Sequence, residues 1–383
     1  MTQPRPSDVP TWAEAPIGGD AGAVAPLSAK IARGFYANEA PPAGWWNWLL
    51  QLYGRWLRYL DARTVAQGVL GIQLTALPST TNFGKVAFLG AARSLEVMAL
   101  GSTINRSQDG GFTWAATTPA GGAPAGHFND IAANDTVFVM VGTAGKIQRY
   151  ASGAWSVQSA AAGFAGVWKK VIWTGTKFVA MGDLEIQTSP DGVTWTRVQN
   201  TAPISGGYTV SQWWDIASAN GRVVLVGNGS ASMVGPYSGE IYYSDDHCVT
   251  LQHALSFNTT YYHSVRAGVT IDGSPMYAAG GDDNMVASVD GASWTEIPNT
   301  PEYGPIGFFG GLMYAGGSQA GTHHLLVSAN AVDWYEVPRY GHILDEGDNG
   351  GVLVASPRGY AIARRDVGSG NHDLAITPVA RLF

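Results

Sequence analysis

The sequence predicts an all-β fold: a seven-bladed β-propeller that follows an amino-terminal extended arm with a short α-helix, with six or eight blades as alternatives. Three observations support this prediction. A short polar motif that ends in tryptophan recurs along the chain, its copies are about 40 residues apart, and apolar segments of strand length precede the copies. One four-stranded propeller blade takes about 40–45 residues, so each repeat corresponds to one blade.

The repeated motif has the form S-x-D-x-G-x-T-W. Its complete copy is SQDGGFTW at 107–114, and copies one residue shorter stand at 189–195 and 288–294. Degenerate copies stand at 151–155, 244–251 and 328–334. Catalytic residues are not usually repeated several times along one chain, so the motif has an architectural role first.

Each residue type in the motif suits a tight turn. An aspartate carboxylate accepts backbone N–H groups across the turn, serine and threonine do so more weakly, and glycine adopts a conformation that a β-carbon penalises. We therefore interpret the motif as the hairpin turn between the third and fourth strands of a blade, with its tryptophan packed between neighbouring blades. The residues assigned to this role are Ser107, Asp109, Trp114, Asp191, Trp195, Asp290, Trp294 and Trp334.

The strand pattern divides the chain into three parts. Residues 1–65 form an arm, residues 66–80 form a linker whose segment 71–78 could supply a ring-closing strand, and residues 81–383 form the propeller. The predicted blades span roughly 83–118, 125–158, 165–199, 208–255, 262–298, 303–338 and 345–380.

The arm contains a predicted helix at about residues 43–63, which is apolar on two sides. Such a helix needs more cover than one flank of a propeller provides. We therefore expect the helix to self-associate or to dock on a partner; burial against its own propeller is the alternative. The residues assigned to attachment or oligomerisation are Trp45, Trp46, Trp48, Leu49, Leu52, Trp56 and Tyr59.

Composition excludes several classes of protein. A net charge of −7 with 22 Lys and Arg residues argues against nucleic-acid binding, which needs clustered cations. The single cysteine, Cys248, excludes an intramolecular disulfide and a cysteine-ligated zinc site. The start of the sequence lacks a signal-peptide pattern and no apolar run reaches membrane-spanning length, so we expect a protein folded in the cytosol without membrane insertion.

Two resemblances extend this interpretation. The repeated motif resembles the Asp-box of bacterial neuraminidase repeats. The segment PPAGWWNWLLQLYGRWLRYLD at 41–61, preceded by KIARGFYANE at 30–39, is similar to the amino-terminal segment of tail fibre and receptor-binding proteins of tailed phages. That resemblance implies an oligomer, usually a trimer, whose amino end attaches to baseplate proteins and whose carboxyl end meets a glycan or protein on the host surface. It also implies a location in the virion tail after assembly in the host cytoplasm.

The sequence gives little support to an enzyme. Sialidases similar to this fold carry an early R-I-P motif and an arginine cluster, whereas this chain lacks R-I-P and its arginines are scattered. Other glycosidases need two carboxylates that face each other across a sugar. The acidic groups at 282–283 and 345–348 are instead close together in sequence, which is typical of turns. We expect a non-enzymatic binding protein that uses no metal or cofactor. A carbohydrate-active propeller enzyme and a purely structural tail component are the alternatives.

The motif also indicates which face of the propeller binds the receptor. Turns between third and fourth strands open on one face, while loops between second and third strands and the crossings between blades open on the other. Apparent insertions at 228–239 and 317–324, together with tyrosines in the crossings, lie on that second face. Aromatic faces with few charges suit sugar stacking or a protein epitope. The predicted receptor contacts are Tyr208, Met233, Tyr237, Tyr261, Tyr303 and His323.

Overall fold

A computed structural model describes the strands and most turns of residues 75–378. The described ranges are 75–76, 83–89, 96–101, 103–111, 113–122, 125–199, 209–230, 237–257, 261–270, 272–281, 284–297, 303–309, 311–319, 322–336, 353–355, 360–366 and 372–378. The chain separates into one compact unit of residues 1–69 and another of residues 70–381. The predicted arm, its helix and its attachment residues lie outside the described residues.

Five consecutive four-stranded sheets make up most of the second unit. Sheet one holds β2 (Phe83–Phe88), β3 (Val97–Gly101), β4 (Ile104–Ser107) and β5 (Ala115–Thr117). Sheet two holds β6 (Phe128–Ala133), β7 (Val137–Gly142), β8 (Ile147–Ala151) and β9 (Ala154–Gln158). Sheet three holds β10 (Trp168–Trp173), β11 (Phe178–Gly182), β12 (Ile186–Ser189) and β13 (Thr196–Gln199). Sheet four holds β14 (Thr209–Ala219), β15 (Arg222–Ser230), β16 (Tyr237–Ser244) and β17 (Gln252–Phe257). Sheet five holds β18 (Tyr262–Val269), β19 (Pro275–Gly281), β20 (Met285–Ser288) and β21 (Thr295–Ile297).

A larger sheet of eight strands combines the carboxyl-terminal strands with one strand from before sheet one. Its members are β1 (Thr75–Ala76), β22 (Tyr303–Phe309), β23 (Leu312–Gln319), β24 (Thr322–Ser328), β25 (Trp334–Glu336), β26 (Leu353–Ala355), β27 (Tyr360–Asp366) and β28 (His372–Pro378), in the order β1-β28-β27-β26-β22-β23-β24-β25. All its pairings are antiparallel except one parallel pair, Gly307 with Leu353. The segment 71–78 thus contains a short strand, β1, which pairs with β28.

The second strand of each sheet is apolar on both sides. The hydrophobic cores therefore lie between successive sheets. Every residue of β7, VFVMVG, is buried, as is every residue of β11, FVAMG. One cluster joins Val139 of sheet two to Phe178 and Trp195 of sheet three. Strands that are covered on both faces have continuous apolar sequences, which explains the sequences of β7 and β11.

The first strands of neighbouring sheets contact one another, so β6 lies between β2 and β10, and β14 lies between β10 and β18. β22 contacts β18 and β26, and β26 also contacts β2. A β-bulge interrupts each of the six first strands β2, β6, β10, β14, β18 and β22 near its start. The extra residue of a bulge redirects the side chains that follow it, which positions the candidate site described below.

Two segments interpreted as loop insertions differ from the prediction. Half of 228–239 is paired strand: Asn228 faces Gly239 and Ser230 faces Tyr237, and 231–236 lies outside the described residues. In 317–324, Ser318 likewise pairs with His323. Glycine and serine give these segments a loop-like composition, but backbone pairing in a ladder does not depend on apolar side chains.

The copy of the motif at 151–155 forms a different turn. Ser152 and Gly153 both have positive φ, and they connect Ala151 directly to its strand partner Ala154. This is the two-residue hairpin that favours glycine at its second position. Within the described residues no helix is long and apolar enough to span a membrane.

Candidate functional site

Side-chain hydrogen bonds close the turn at 189–195. The Asp191 carboxylate accepts the N–H groups of Val193 at 2.9 Å and Thr194 at 3.1 Å, and Ser189 Oγ accepts the N–H of Gly192 at 2.8 Å. The backbone donors of Val193 and Thr194, together with the Ser189 hydroxyl, lower the pKa of the Asp191 carboxyl against a smaller effect of burial. The carboxylate therefore holds the turn as an ionised acceptor.

The degenerate copies at 244–251 and 328–334 keep this geometry. In 244–251, Asp246 accepts the N–H of Thr250 at 2.8 Å, and Cys248 adopts φ +68° at the position equivalent to Gly111. In 328–334, Asn330 accepts the N–H of Asp333 at 2.8 Å, and Ala331 adopts φ +61°. A single acceptor oxygen and a serine hydroxyl are therefore sufficient to close the turn.

The turns also join neighbouring sheets. Arg149 of sheet two donates to the carbonyl of Asp191 at 2.9 Å, and Arg222 of sheet four donates to the carbonyl of Asp290 at 2.5 Å. His247 of sheet four contacts the hydroxyls of Thr174 and Thr176 in sheet three, each at 3.1 Å. We call the face that carries these turns the box face and the opposite one the crossing face. The polar groups of these turns serve internal contacts.

A row of charges follows the bulges of the first strands. The axial charge row consists of Lys85, Asp130, Lys170, Asp215 and Arg266, one residue from each of β2, β6, β10, β14 and β18. The sign alternates from each sheet to the next. Asp215 Oδ1 lies 3.3 Å from Lys170 Nζ, and Asp215 Oδ2 lies 2.5 Å from Arg266 Nη1.

The two carboxylates of the row also bind backbone of the following sheet. Asp130 Oδ2 accepts the N–H of Val171 at 2.9 Å, and Asp215 Oδ2 accepts the N–H of Val265 at 3.2 Å. These N–H groups lie on the edge strand of their sheet, where no further strand pairs with them. The carboxylates therefore satisfy donors that would otherwise be unpaired in the interior.

The environment shifts the pKa values within the row in different directions. Burial of the Asp215 carboxyl opposes its ionisation, but Lys170, Arg266 and Lys85 together outweigh burial and lower the pKa to about 2. Burial raises the pKa of the Asp130 carboxyl against the opposing charges of Lys170 and Lys85. The positive charge of Lys170, together with burial, lowers the pKa of Lys85 to about 7.

A second row of side chains starts at the bulges and lies beside the first. The aromatic row consists of Lys169, Trp214, His263 and Tyr261. Lys169 Nζ lies 4.5 Å from the centre of the Trp214 ring, and the His263 ring meets Trp214 edge-on at 5.2 Å. The Tyr261 ring lies 6.2 Å from His263. These four half-buried side chains stand where the crossings enter sheets three to five, on the crossing face.

The aromatic row is held by interactions with the protein as well. Lys169 Nζ donates to the Trp213 carbonyl at 3.0 Å and pairs with Asp183 Oδ1 at 2.6 Å. Asn129, the bulge residue of β6, donates in the same way to the Trp168 carbonyl at 2.7 Å. The bulge residues of β6 and β10 thus connect each of these two strands to the next first strand, and their side chains have defined positions before any ligand binds.

One predicted receptor contact, Tyr261, belongs to this row. Tyr237, Tyr303 and His323 lie in β16, β22 and β24, of which the structure describes the backbone at these positions. Tyr208 and Met233 lie outside the described residues.

Sequence reasoning missed the axial charge row and, apart from Tyr261, the aromatic row, although the sequence contains a signal for them. The bulged segments read FGKV at 83–86, FNDI at 128–131, WKKV at 168–171, WWDI at 213–216 and YHSV at 262–265. Each has an aromatic residue, a bulge residue, a polar residue and a β-branched residue. Aligning the five segments would have placed Lys85, Asp130, Lys170 and Asp215 at one structural position.

The chain is similar in structure to a known β-propeller, YCF48, and to a designed protein. YCF48 bound to a D1 peptide matches with a TM-score of 0.54 and 14% identity, over 80% of this chain and 95% of that one. YCF48 from Cyanidioschyzon merolae matches with a TM-score of 0.54 and 11% identity, over 80% and 98% of the two chains. The computationally designed protein Ika8 matches with a TM-score of 0.50 and 11% identity, over 81% and 100%. No protein-family model and no curated protein matches. Together with the repeated four-stranded sheets, these likenesses confirm the predicted all-β propeller fold.

Proposed function

We propose that the chain is a tail fibre or receptor-binding protein of a tailed phage. Residues 1–65 attach it to the baseplate as a homo-oligomer, with a trimer expected, and the propeller binds a glycan or protein on the host surface. The protein has no enzymatic activity in this proposal and resides in the virion tail. The resemblance of residues 30–61 to phage attachment segments supports the first part.

The proposal includes a ring of seven blades. The eight-stranded sheet counts as two of them, β22 to β25 and β26 to β28 with β1 as the outer strand. Two observations support this count: β26 contacts both β22 and β2, and β1 pairs with β28 on the side away from β27. A strand from the beginning of the unit would then close the ring with strands from its end.

The aromatic row is the observation that carries the binding role. Aromatic rings with a nearby cation suit stacking against sugar rings or contact with a protein epitope. On the box face, by contrast, carboxylates and carbonyls of the turns already have partners within the protein. The side chains that can contact a ligand, those of the aromatic row, therefore lie on the crossing face rather than on the box face.

The test uses the full chain, labelled with a fluorophore, on an array of bacterial surface polysaccharides and on a panel of whole bacterial cells. We expect saturable binding to a subset of these targets. The variants Tyr261→Ala and His263→Ala should lose at least tenfold in affinity. Val332→Ser, which replaces a side chain that is 75% exposed beside a box-face turn, is the matched control and should bind normally.

Three results would overturn the proposal. Release of reducing sugar from a bound polysaccharide would identify an enzyme. Equal binding by Tyr261→Ala and Val332→Ser would remove the crossing face from recognition. A full chain that is monomeric by light scattering and binds neither cells nor purified baseplates would exclude the attachment role.

A further inference from the structure

The carboxylate of Asp183 lies at the end of the aromatic row, where side chains of sheets three and four hold it in place. Asp183 belongs to the loop between β11 and β12, which opens on the crossing face. Its Oδ1 lies 2.6 Å from Lys169 Nζ and accepts a hydrogen bond from Gln212 Nε2 at 3.1 Å. Its backbone carbonyl accepts the N–H of Trp213 at 2.8 Å. Both the backbone and the carboxylate of Asp183 are therefore fixed before a ligand binds.

The Asp183 carboxylate retains acceptor capacity for a ligand. A carboxylate offers about four acceptor positions on its two oxygens, and the contacts with Lys169 and Gln212 both use Oδ1. The Asp183 side chain is 57% exposed. Burial opposes ionisation of this carboxyl, but the hydrogen bonds from Lys169 and Gln212 outweigh burial and lower its pKa. An ionised, accessible acceptor therefore stands beside the aromatic row.

The ammonium group of Lys169, by contrast, is directed at the protein. It donates to the Trp213 carbonyl at 3.0 Å, contacts Asp183 and lies 4.5 Å from the centre of the Trp214 ring. A lysine ammonium has three N–H donors, and these three contacts use them. An anionic ligand therefore gains no donor from Lys169, while a cationic ligand near Asp183 would be repelled by the same ammonium.

The remaining ligand class is neutral, with hydrogen-bond donors and an apolar face. Hydroxyl groups form charge-assisted hydrogen bonds with carboxylates, and aromatic rings pack against C–H groups through their apolar bodies. The ring centres of Trp214 and His263 are 5.2 Å apart, and those of His263 and Tyr261 are 6.2 Å apart. The row can therefore contact successive units of a chain. Neutral saccharides combine hydroxyl donors with C–H faces in such a chain.

We infer that Asp183 binds hydroxyl groups of a neutral saccharide whose sugar rings pack on the aromatic row, and that it selects against acidic saccharides. The choice of a saccharide rests on the proposed function, whereas the hydroxyl acceptor follows from the contacts of Asp183 itself. Selection follows from charge, because a sugar carboxylate beside Asp183 would meet a like charge without an available ammonium donor.

Binding of the full chain to purified polysaccharides of three charge classes tests the inference. The probes are neutral dextran, mannan and galactan, acidic polygalacturonate and hyaluronate, and cationic chitosan. We expect at least one neutral polymer to bind at least tenfold more tightly than the acidic polymers and chitosan. Any other order of affinities, or binding to none of these polymers, would overturn the inference.

Asp183→Asn tests the role of the carboxylate. This variant should lose at least tenfold in affinity for the neutral polymer and gain several-fold for polygalacturonate, because Lys169 then keeps its charge without its carboxylate partner. A residue that only supported the fold would not change the preference between the two polymers. Asp245→Asn is the matched control, since the Asp245 side chain is 53% exposed and pairs with Arg222 at 2.7 Å on the box face. The control should keep the natural preference.

Asp183→Glu separates charge from position. It keeps the negative charge but moves the carboxylate by one methylene, so it should bind the neutral polymer more weakly without gaining affinity for polygalacturonate. All three variants should melt close to the natural chain, because exposed ion pairs contribute little to stability. Equal affinity of Asp183→Asn and Asp245→Asn for the neutral polymer would overturn the inference, as would a gain of polygalacturonate binding in Asp183→Glu.

These failures differ from failure of the proposed function. Cell binding that depends on Tyr261 but not on Asp183, without any preference for neutral polymers, would support attachment and overturn the saccharide site. Loss of polysaccharide binding in Asp183→Asn with undiminished binding to whole cells would support the site and contradict its use in attachment.

Discussion

Gly192 provides a direct test of whether the repeated turns hold neighbouring sheets together. Its φ is +75°, and its N–H donates to Ser189 Oγ. A β-carbon at this position would lie 2.7 Å from Val139 Cγ2 and 3.6 Å from Arg149 Cδ, both in the preceding sheet. The substitution Gly192→Ala therefore imposes an unfavourable backbone conformation and a steric clash between two sheets.

The backbone conformation and the steric clash each contribute to the loss of folding free energy. The left-handed conformation costs an L-residue about 1–2 kcal/mol, and overpacking costs about 1–3 kcal/mol. The loss of unfolded-state entropy offsets about 0.4–1 kcal/mol of this sum. We therefore expect Gly192→Ala to lower the free energy of unfolding by about 2–4 kcal/mol.

Gly175 supplies the matched control. Its φ is +96°, and a β-carbon there would have no heavy atom within 4 Å. Gly175→Ala therefore has the backbone cost without the clash and should lose about 1 kcal/mol or less. Urea unfolding of both variants, followed by tryptophan fluorescence, gives the comparison. Equal losses of stability in the two variants would refute contact between the turn and the preceding sheet.

Three other substitutions test the same structure. Ala331→Gly should raise the free energy of unfolding by about 0.5–1 kcal/mol, because Ala331 has φ +61° where other copies have glycine, and urea unfolding would measure the gain. Trp195→Ala should cost about 3–5 kcal/mol, because its side chain is buried between sheets two and three; a stable variant would remove it from the core. Asp215→Asn should destabilise the protein at neutral pH by about 3–5 kcal/mol, since Lys170 and Arg266 lose their partner. The lowered pKa of Asp215 means that its stabilising charge is present above about pH 4 and is lost as the pH falls towards about 2. The difference between the natural chain and Asp215→Asn should therefore shrink in unfolding measured at decreasing pH, and a constant difference would contradict the ion pairs.

The fold could be predicted because its signals are local and repeated. A turn motif such as 189–195 fixes where two strands meet, and its recurrence fixes the length of the unit between copies. Apolar runs such as 137–142 then identify strands that are covered on both faces. None of these inferences requires knowledge of which distant residues meet.

The candidate site depended on information that local patterns do not contain. Lys85 and Lys170 are separated by 85 positions, and only the packing of first strands places them in one row. The bulges are equally hard to predict, because the sequence of a segment such as FNDI does not indicate that its second residue is left out of the pairing between strands. Comparing the repeats with one another, rather than each with a general strand pattern, was the step that could have revealed them.

The bulges explain why the two rows occur on the same strands. In a regular strand, successive side chains alternate between the two faces of the sheet, and both faces here are covered by neighbouring sheets. At the second of two bulges in β14, Trp214 is the extra residue, and the bulge directs the following residue, Asp215, towards Lys170 and Arg266. Loss of that extra residue would shift the register and move the following side chains to the opposite face. The bulge therefore allows one packed first strand to place an aromatic side chain, Trp214, on the crossing face and a charged side chain, Asp215, between the sheets.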